Sequence, residues 1–212
     1  MKKIIFILTL TLFAFYAKAQ ENISSNNEEI KTLFGEVKSS GGYGAPVYRF
    51  GIINKHSAYI NGGRGAWIIN HKFAFGGGGT SFKSEIMYDN STDVNYQITG
   101  GYGGLLFEPI LMYKFPIHLT IPILIGGGGY SYTVKDYMNE DYIEDTKAFF
   151  VAEPGLEFEL NVLKFFRLNF GAYYRYTIGN RLRYYDGLVI ENVRADALND
   201  FSFGITLKFG KF

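Results

Sequence analysis

The 212-residue chain has no cysteine, 5 prolines, a single tryptophan and no apolar stretch long enough to cross a bilayer as a helix. Without cysteine there are no disulfides, thiolate metal sites, cysteine nucleophile or lipid-modified N-terminal cysteine. A helical span needs roughly 20 consecutive apolar residues. The run Ile4–Tyr16 is shorter, and Gly, Pro, His or a charge cuts every later one. An excess of one charge sign is missing too, with 21 Lys and Arg against 20 Asp and Glu. That leaves no basic footprint for nucleic acid. Glycine at 26, tyrosine at 17 and phenylalanine at 20 are plentiful instead, and the aromatics favour strands. The length suits one domain.

Residues 1–19 read as a secretory signal peptide. Lys2 and Lys3 form the charged start, Ile4–Tyr16 the apolar core, and Ala17-Lys18-Ala19 a cleavage site before Gln20. Losing Lys2, Lys3 and Lys18 leaves 18 basic residues against 20 acidic ones. Residues 20–34 are polar and aperiodic, an expected periplasmic N-terminal tail.

From residue 35 onward the period is two. Phe166, Leu168, Phe170, Ala172, Tyr174, Tyr176 and Ile178 fall on one face of a strand, and Arg167, Asn169, Gly171, Tyr173, Arg175 and Thr177 on the other. Phe150–Val162 alternates in the same way, and Phe201, Phe203, Ile205, Leu207 and Phe209 share one side of the last strand. Eight strands are expected, near 35–53, 57–69, 72–82, 94–113, 117–134, 148–163, 166–179 and 198–209. The first contains Gly41-Gly42-Tyr43-Gly44-Ala45-Pro46, which reads either as a bulge in one bent strand or as a break between two. Asn70-His71, Lys114-Phe115-Pro116 and Lys164-Phe165 are short connections, whereas Lys83–Asn95, Lys135–Lys147 and Asn180–Ala197 are long and polar. Short periplasmic turns opposite longer outer loops suit a membrane barrel. Only the first outer connection, Asn54-Lys55-His56, is short. The expected fold is all-β, an eight-stranded antiparallel up-and-down transmembrane β-barrel over 35–212 with a filled, charged interior.

With the apolar face toward lipid, alternation turns Arg49, Arg64, Glu108, Glu153, Glu157, Glu159, Arg167 and Arg175 inward. Four arginines then meet four glutamates, as a narrow and mostly dry lumen requires. The arginine fork suits carboxylates across neighbouring strands. This predicts a plugged barrel rather than a pore, because an eight-stranded interior is just wide enough for side chains. The glycine clusters at 62–63, 76–79, 100–104 and 126–129 match no phosphate-binding spacing and read as room for curvature and for the arginines. Aromatics form two expected girdles: Trp67, Phe73, Tyr113, Phe115, Phe166 and Phe209 near the short turns, and Tyr59, Phe82, Tyr96, Tyr130, Tyr132, Phe150, Tyr176 and Phe201 near the loops.

No catalytic constellation emerges. His71 and His118 read as interface residues at the short turns, and His56 beside Ser57 points to the opposite face of its strand. No cofactor and no metal site is expected. The acidic loop with Asp136, Glu140, Asp141, Glu144 and Asp145 lacks the spacing of a calcium loop and reads as solvated, or as paired with Arg181 and Arg183.

The segments Gly42-Tyr43-Gly44-Ala45-Pro46, Gly62–His71, Gly101-Tyr102-Gly103-Gly104 and Gly126–Gly129 resemble those of small outer-membrane barrel proteins of the Bacteroidetes type. The resemblance covers nearly all of the mature chain, and its motifs are architectural. Ser202–Phe209 likewise resembles the assembly signal on the final strand of outer-membrane barrels, although Phe212 is out of step with Leu207 and Phe209. The resemblance implies a bacterial outer-membrane location, contact with outer-membrane lipid, and recognition of the last strand by the barrel assembly machinery. It transfers no active site. The expected role is a non-enzymatic barrel, envelope-structural or adhesive through its outer loops. Alternatives are a narrow channel or transport component using the charged interior, and a secreted soluble barrel with an apolar ligand inside.

Overall fold

The computed structural model describes residues 36–89, 94–135, 142–179, 182–186, 189–193 and 195–212. The expected signal peptide and the tail at 20–34 lie outside the described residues, as do Asp136, Glu140, Asp141 and Arg181. From Val37 onward the chain folds as one unit. Its strands are β1 (Ser40–Ile53), β2 (His56–Ile69), β3 (Phe73–Ser84), β4 (Met87–Asp89), β5 (Val94–Leu111), β6 (Ile117–Thr120), β7 (Ile123–Lys135), β8 (Tyr142–Leu163), β9 (Phe166–Gly179), β10 (Leu182–Asp186), β11 (Val189–Val193) and β12 (Asp200–Lys211).

Antiparallel pairing runs β1–β2–β3–β5, on through β6 and β7 to β8, then β9, β12 and back to β1. The ring has eight staves and is closed, so each stave is paired on both sides. Three pieces depart from the simple staves. β4 is a short strand paired with β5 just beyond β3, β10 and β11 form a separate hairpin, and β6 and β7 together make the fifth stave.

Proline explains that broken stave. Ile117 pairs with Leu160 and Ile123 with Pro154, so the register across residues 121–122 is unchanged. Pro122 has no N–H to give the ladder, and its carbonyl accepts from Gly155 N at 2.7 Å. Pro46 acts alike in β1. Pairing with β2 is continuous from Ser40 to Ile53, while pairing with β12 skips only residues 45 and 46 and resumes in register. The first stave is therefore a single strand without a bulge.

Tight turns close the short connections. Asn54 and Lys55 have φ of 49° and 68°, the paired left-handed geometry of a two-residue hairpin. Asn70 and His71 have 53° and 58° in the three-residue connection between Ile69 and Phe73, where Lys72 N donates to Ile69 O at 3.1 Å. The Asn70 side chain also accepts from the backbone N–H of Lys38 at 2.8 Å and of Ser39 at 3.2 Å.

The interior is layered. Toward the long loops, Ile53, Ile60, Phe82, Ile98, Tyr130, Tyr132, Phe149 and Leu198 form a buried apolar cluster. At the short-turn end a second cluster contains Tyr43, Ala66, Ile68, Ala74, Leu106 and Ile110, with Tyr113 and Phe212 packed on it. Phe212 thus lies against the barrel interior rather than beside Leu207 and Phe209. Ionised side chains fill the level between the two clusters.

Of the aromatics expected in the loop-side girdle, Tyr59, Phe150, Tyr176 and Phe201 are exposed on the exterior, whereas Phe82, Tyr130 and Tyr132 are buried inside. Tyr96 packs on the same inner cluster and stacks on Tyr132, with ring centroids 4.7 Å apart. Strict alternation accounts for this: Tyr130 and Tyr132 continue the inward row of Leu124.

The end of the last long connection packs at the barrel mouth. A 3₁₀ turn at Ala195–Leu198 buries Leu198 completely, and Asn54 N donates to Ala197 O at 2.7 Å. Arg175 holds it from within, its Nε donating to Leu198 O at 2.6 Å and its Nη2 to Ile52 O at 3.3 Å. Arg175→Met is expected to speed amide exchange at 197–199 by about tenfold, which corresponds to about 1.4 kcal/mol of lost charge-assisted bonding. Barrel melting should change little, because the arginine meets no carboxylate among the described residues. Exchange unchanged at Leu198 would sink this anchoring role.

Candidate functional site

Strand alternation brings seven of the eight charged side chains singled out above into the buried interior: Arg49, Arg64, Glu108, Glu153, Glu157, Glu159 and Arg175. The eighth, Arg167, is partly buried at its edge, with its side chain 12% exposed. The residues come from β1, β2, β5, β8 and β9. Glycines make the space. A Cβ on Gly78 would lie 2.9 Å from the Arg64 Cβ, and one on Gly204 would lie 2.8 Å from the Arg49 Cγ.

Glu157 is the centre. It accepts from Arg64 Nη2 at 2.7 Å, Asn169 Nδ2 at 2.6 Å, Thr120 Oγ1 at 3.1 Å and the Tyr173 hydroxyl. Arg64 also lies 3.7 Å from Glu108, which accepts from the Tyr43 hydroxyl at 2.6 Å. One level toward the long loops, Arg49 Nη1 donates to Glu153 Oε1 at 2.5 Å, and the Tyr102 hydroxyl donates to the other oxygen of that carboxylate. Arg175 stands apart, held by main-chain carbonyls and by the faces of Phe82 and Tyr102 at 5.4 and 5.8 Å.

Lys208 and His118 complete the cluster, and the sequence reading assigned neither to it. Lys208 on β12 is 1% exposed and donates to both Glu108 and Glu159, the latter at 2.5 Å. Its signal was present, since it alternates with Leu207 and Phe209 and must face inward when they face out. His118 is a correction. Read as an interface residue, it is instead 1% exposed, with Nε2 2.9 Å from Glu159 Oε1. Glu159 also accepts from Arg167 Nη1 at 2.5 Å and Asn169 Nδ2 at 2.8 Å. Five cations and four carboxylates therefore share the described interior, with Arg175 the one that forms no ion pair among the described residues.

The exterior carries the opposite chemistry. Tyr48, Phe50, Trp67, Phe158, Phe170 and Phe203 are exposed, and Phe150 reaches 76%. Monomeric soluble proteins rarely expose contiguous apolar patches beyond a few hundred Å². Buried charge beneath such a surface is the polarity of a barrel in an apolar solvent. The other two histidines lie on the rims. His71 Nε2 is 2.9 Å from Ser39 Oγ, and His56 Nδ1 is 3.1 Å from Glu85 Oε1. In the acidic loop, Asp145 accepts from Lys147 Nζ at 2.7 Å.

No family model matches the sequence, and no curated protein matches it. Among solved structures the chain is similar to neisserial surface protein A, at 13% identity and a TM-score of 0.49, over 82% of this chain and 97% of that one. It is similar to the N-terminal β-barrel domain of Pseudomonas aeruginosa OprF at 11% identity and 0.42, covering 81% and 96%. Ail, the attachment invasion locus protein of Yersinia pestis, gives 8% and 0.46 over 81% and 97%. Values this low carry no activity across.

Proposed function

We propose that the chain is exported, loses residues 1–19, and lodges in a bacterial outer membrane as a non-enzymatic barrel. There it stabilises the envelope or adheres through its long outer loops. The observation that carries this reading is the inverted polarity: an apolar exterior around an interior filled by paired ions. A packed interior gives a small solute no way through, which leaves the surface and the loops to act. His56 and its neighbour Ser57 point to opposite faces of their strand, so the two do not pair as nucleophile and base. The assembly machinery would read β12, whose outward row Phe201, Phe203, Ile205, Leu207 and Phe209 carries the resemblance to an assembly signal. The Bacteroidetes affiliation rests on the glycine-rich segments alone.

The column of buried charge favours one alternative, a narrow channel or transport component. The two readings part in planar bilayers. A plugged barrel is expected to give no steady single-channel current after reconstitution, and to stay with the outer-membrane pellet after a carbonate wash. Steady conductance would replace the first reading by the second. Recovery in the soluble fraction would defeat both.

A further inference from the structure

The buried hydrogen bonds form two groups that no direct hydrogen bond joins among the described residues. One comprises Arg49, Glu153 and Tyr102. The other gathers around Glu157, Arg64 and Tyr173 and runs on to Glu159 and Lys208. They touch where the Arg49 guanidinium lies 3.6 Å over the Tyr173 ring. At that junction is a cavity with about 10 Å³ open to the centre of a water molecule, lined by Arg49 and Glu153, by Arg64 and Tyr173, and by Thr80 of β3.

Three lining residues carry a buried polar atom with no hydrogen-bond partner among the described residues: Arg49 Nε, Arg64 Nε and Thr80 Oγ1. The residues themselves are only 5%, 7% and 8% exposed. Orphaned buried donors are rare in folded proteins. Three residues with such an atom line one cavity, in the gap between two networks, and point to a shared partner.

We propose that this cavity is a binding site for a single water molecule that ties the two networks into one column. Its size is about what one buried water needs. The donor and acceptor types suit it as well: the oxygen would accept from the two Nε–H groups, and its protons would go to Thr80 Oγ1 and the Glu153 carboxylate. A halide would add negative charge where Glu153 and Glu157 already neutralise both guanidiniums. A metal cation would face those guanidiniums directly. Neutral water meets neither obstacle.

The test is water-to-amide cross-relaxation by NMR on the intact barrel in detergent micelles, with the Nε–H signals assigned through Arg49→Lys and Arg64→Lys. Both Nε–H groups are expected to show cross-peaks to one long-lived water. Thr80→Val should speed its exchange by about tenfold, on the order of one lost hydrogen bond, and Thr80→Ser should restore the original rate. Absence of cross-peaks at both Nε–H groups in the unaltered protein would overturn the proposal, as would an anomalous bromide signal at the cavity in crystals soaked in bromide. If Thr80→Val fails to fold, the cross-peaks of the unaltered protein decide alone.

Discussion

Glu157→Ala is expected to lower the free energy of unfolding by about 3–5 kcal/mol, the loss typical of breaking a buried ion pair from one side. The carboxylate removed has four hydrogen-bond donors around it, on Arg64, Asn169, Thr120 and Tyr173. Only Glu108, 3.7 Å away, remains to face the buried Arg64. A double variant with Arg64→Met should recover much of the loss, since an apolar side chain of similar length needs no counter-charge. Urea unfolding in micelles, followed by the fluorescence of Trp67, the single tryptophan, would measure both. A midpoint unchanged in Glu157→Ala would mean that this carboxylate is hydrated or otherwise compensated, and the packed-column picture would fail.

Lys208→Met comes next, at about 3 kcal/mol by the same reasoning. It strips the shared cation from Glu108 and Glu159 at once. Glu159 keeps Arg167 at 2.5 Å and His118 at 2.9 Å, so the larger share of the loss falls on Glu108. Adding Glu108→Gln to Lys208→Met should therefore restore part of the stability, while Glu108→Gln alone should be destabilising. Strictly additive effects in that double-mutant cycle would show that the two side chains are uncoupled, contrary to the geometry.

These two residues also show how far the sequence could be read. Glu157 stands in a strand whose other face is Leu156, Phe158 and Leu160, so period two alone turned it inward. Lys208 obeys the same rule but sits beside residues read as a terminal signal, and the meaning of the segment obscured its parity. His118 lies next to a short turn, which suggested a rim position. The strand resumes at Ile117, however, and places the imidazole one step inside. Part of the loop-side aromatic girdle failed for a related reason. Chain position near a loop indicates height along the barrel, whereas facing is fixed by parity, and Phe82, Tyr130 and Tyr132 have inward parity. The hairpin of β10 and β11 and the early start of β8 at Tyr142 fall in stretches read as loops, where polar composition masked the pairing. The fold itself was plain, because each membrane-length stave repeats one alternation many times over.

The ring is closed by its most distant partners in the chain, with Gly42 beside Lys211 and Phe50 beside Phe203. Such a seam cannot zip until the final strand has been synthesised, and pairings so far apart in sequence are slow to find one another. Until then the polypeptide is an unclosed ribbon, its greasy rows unshielded and its glutamates still hydrated.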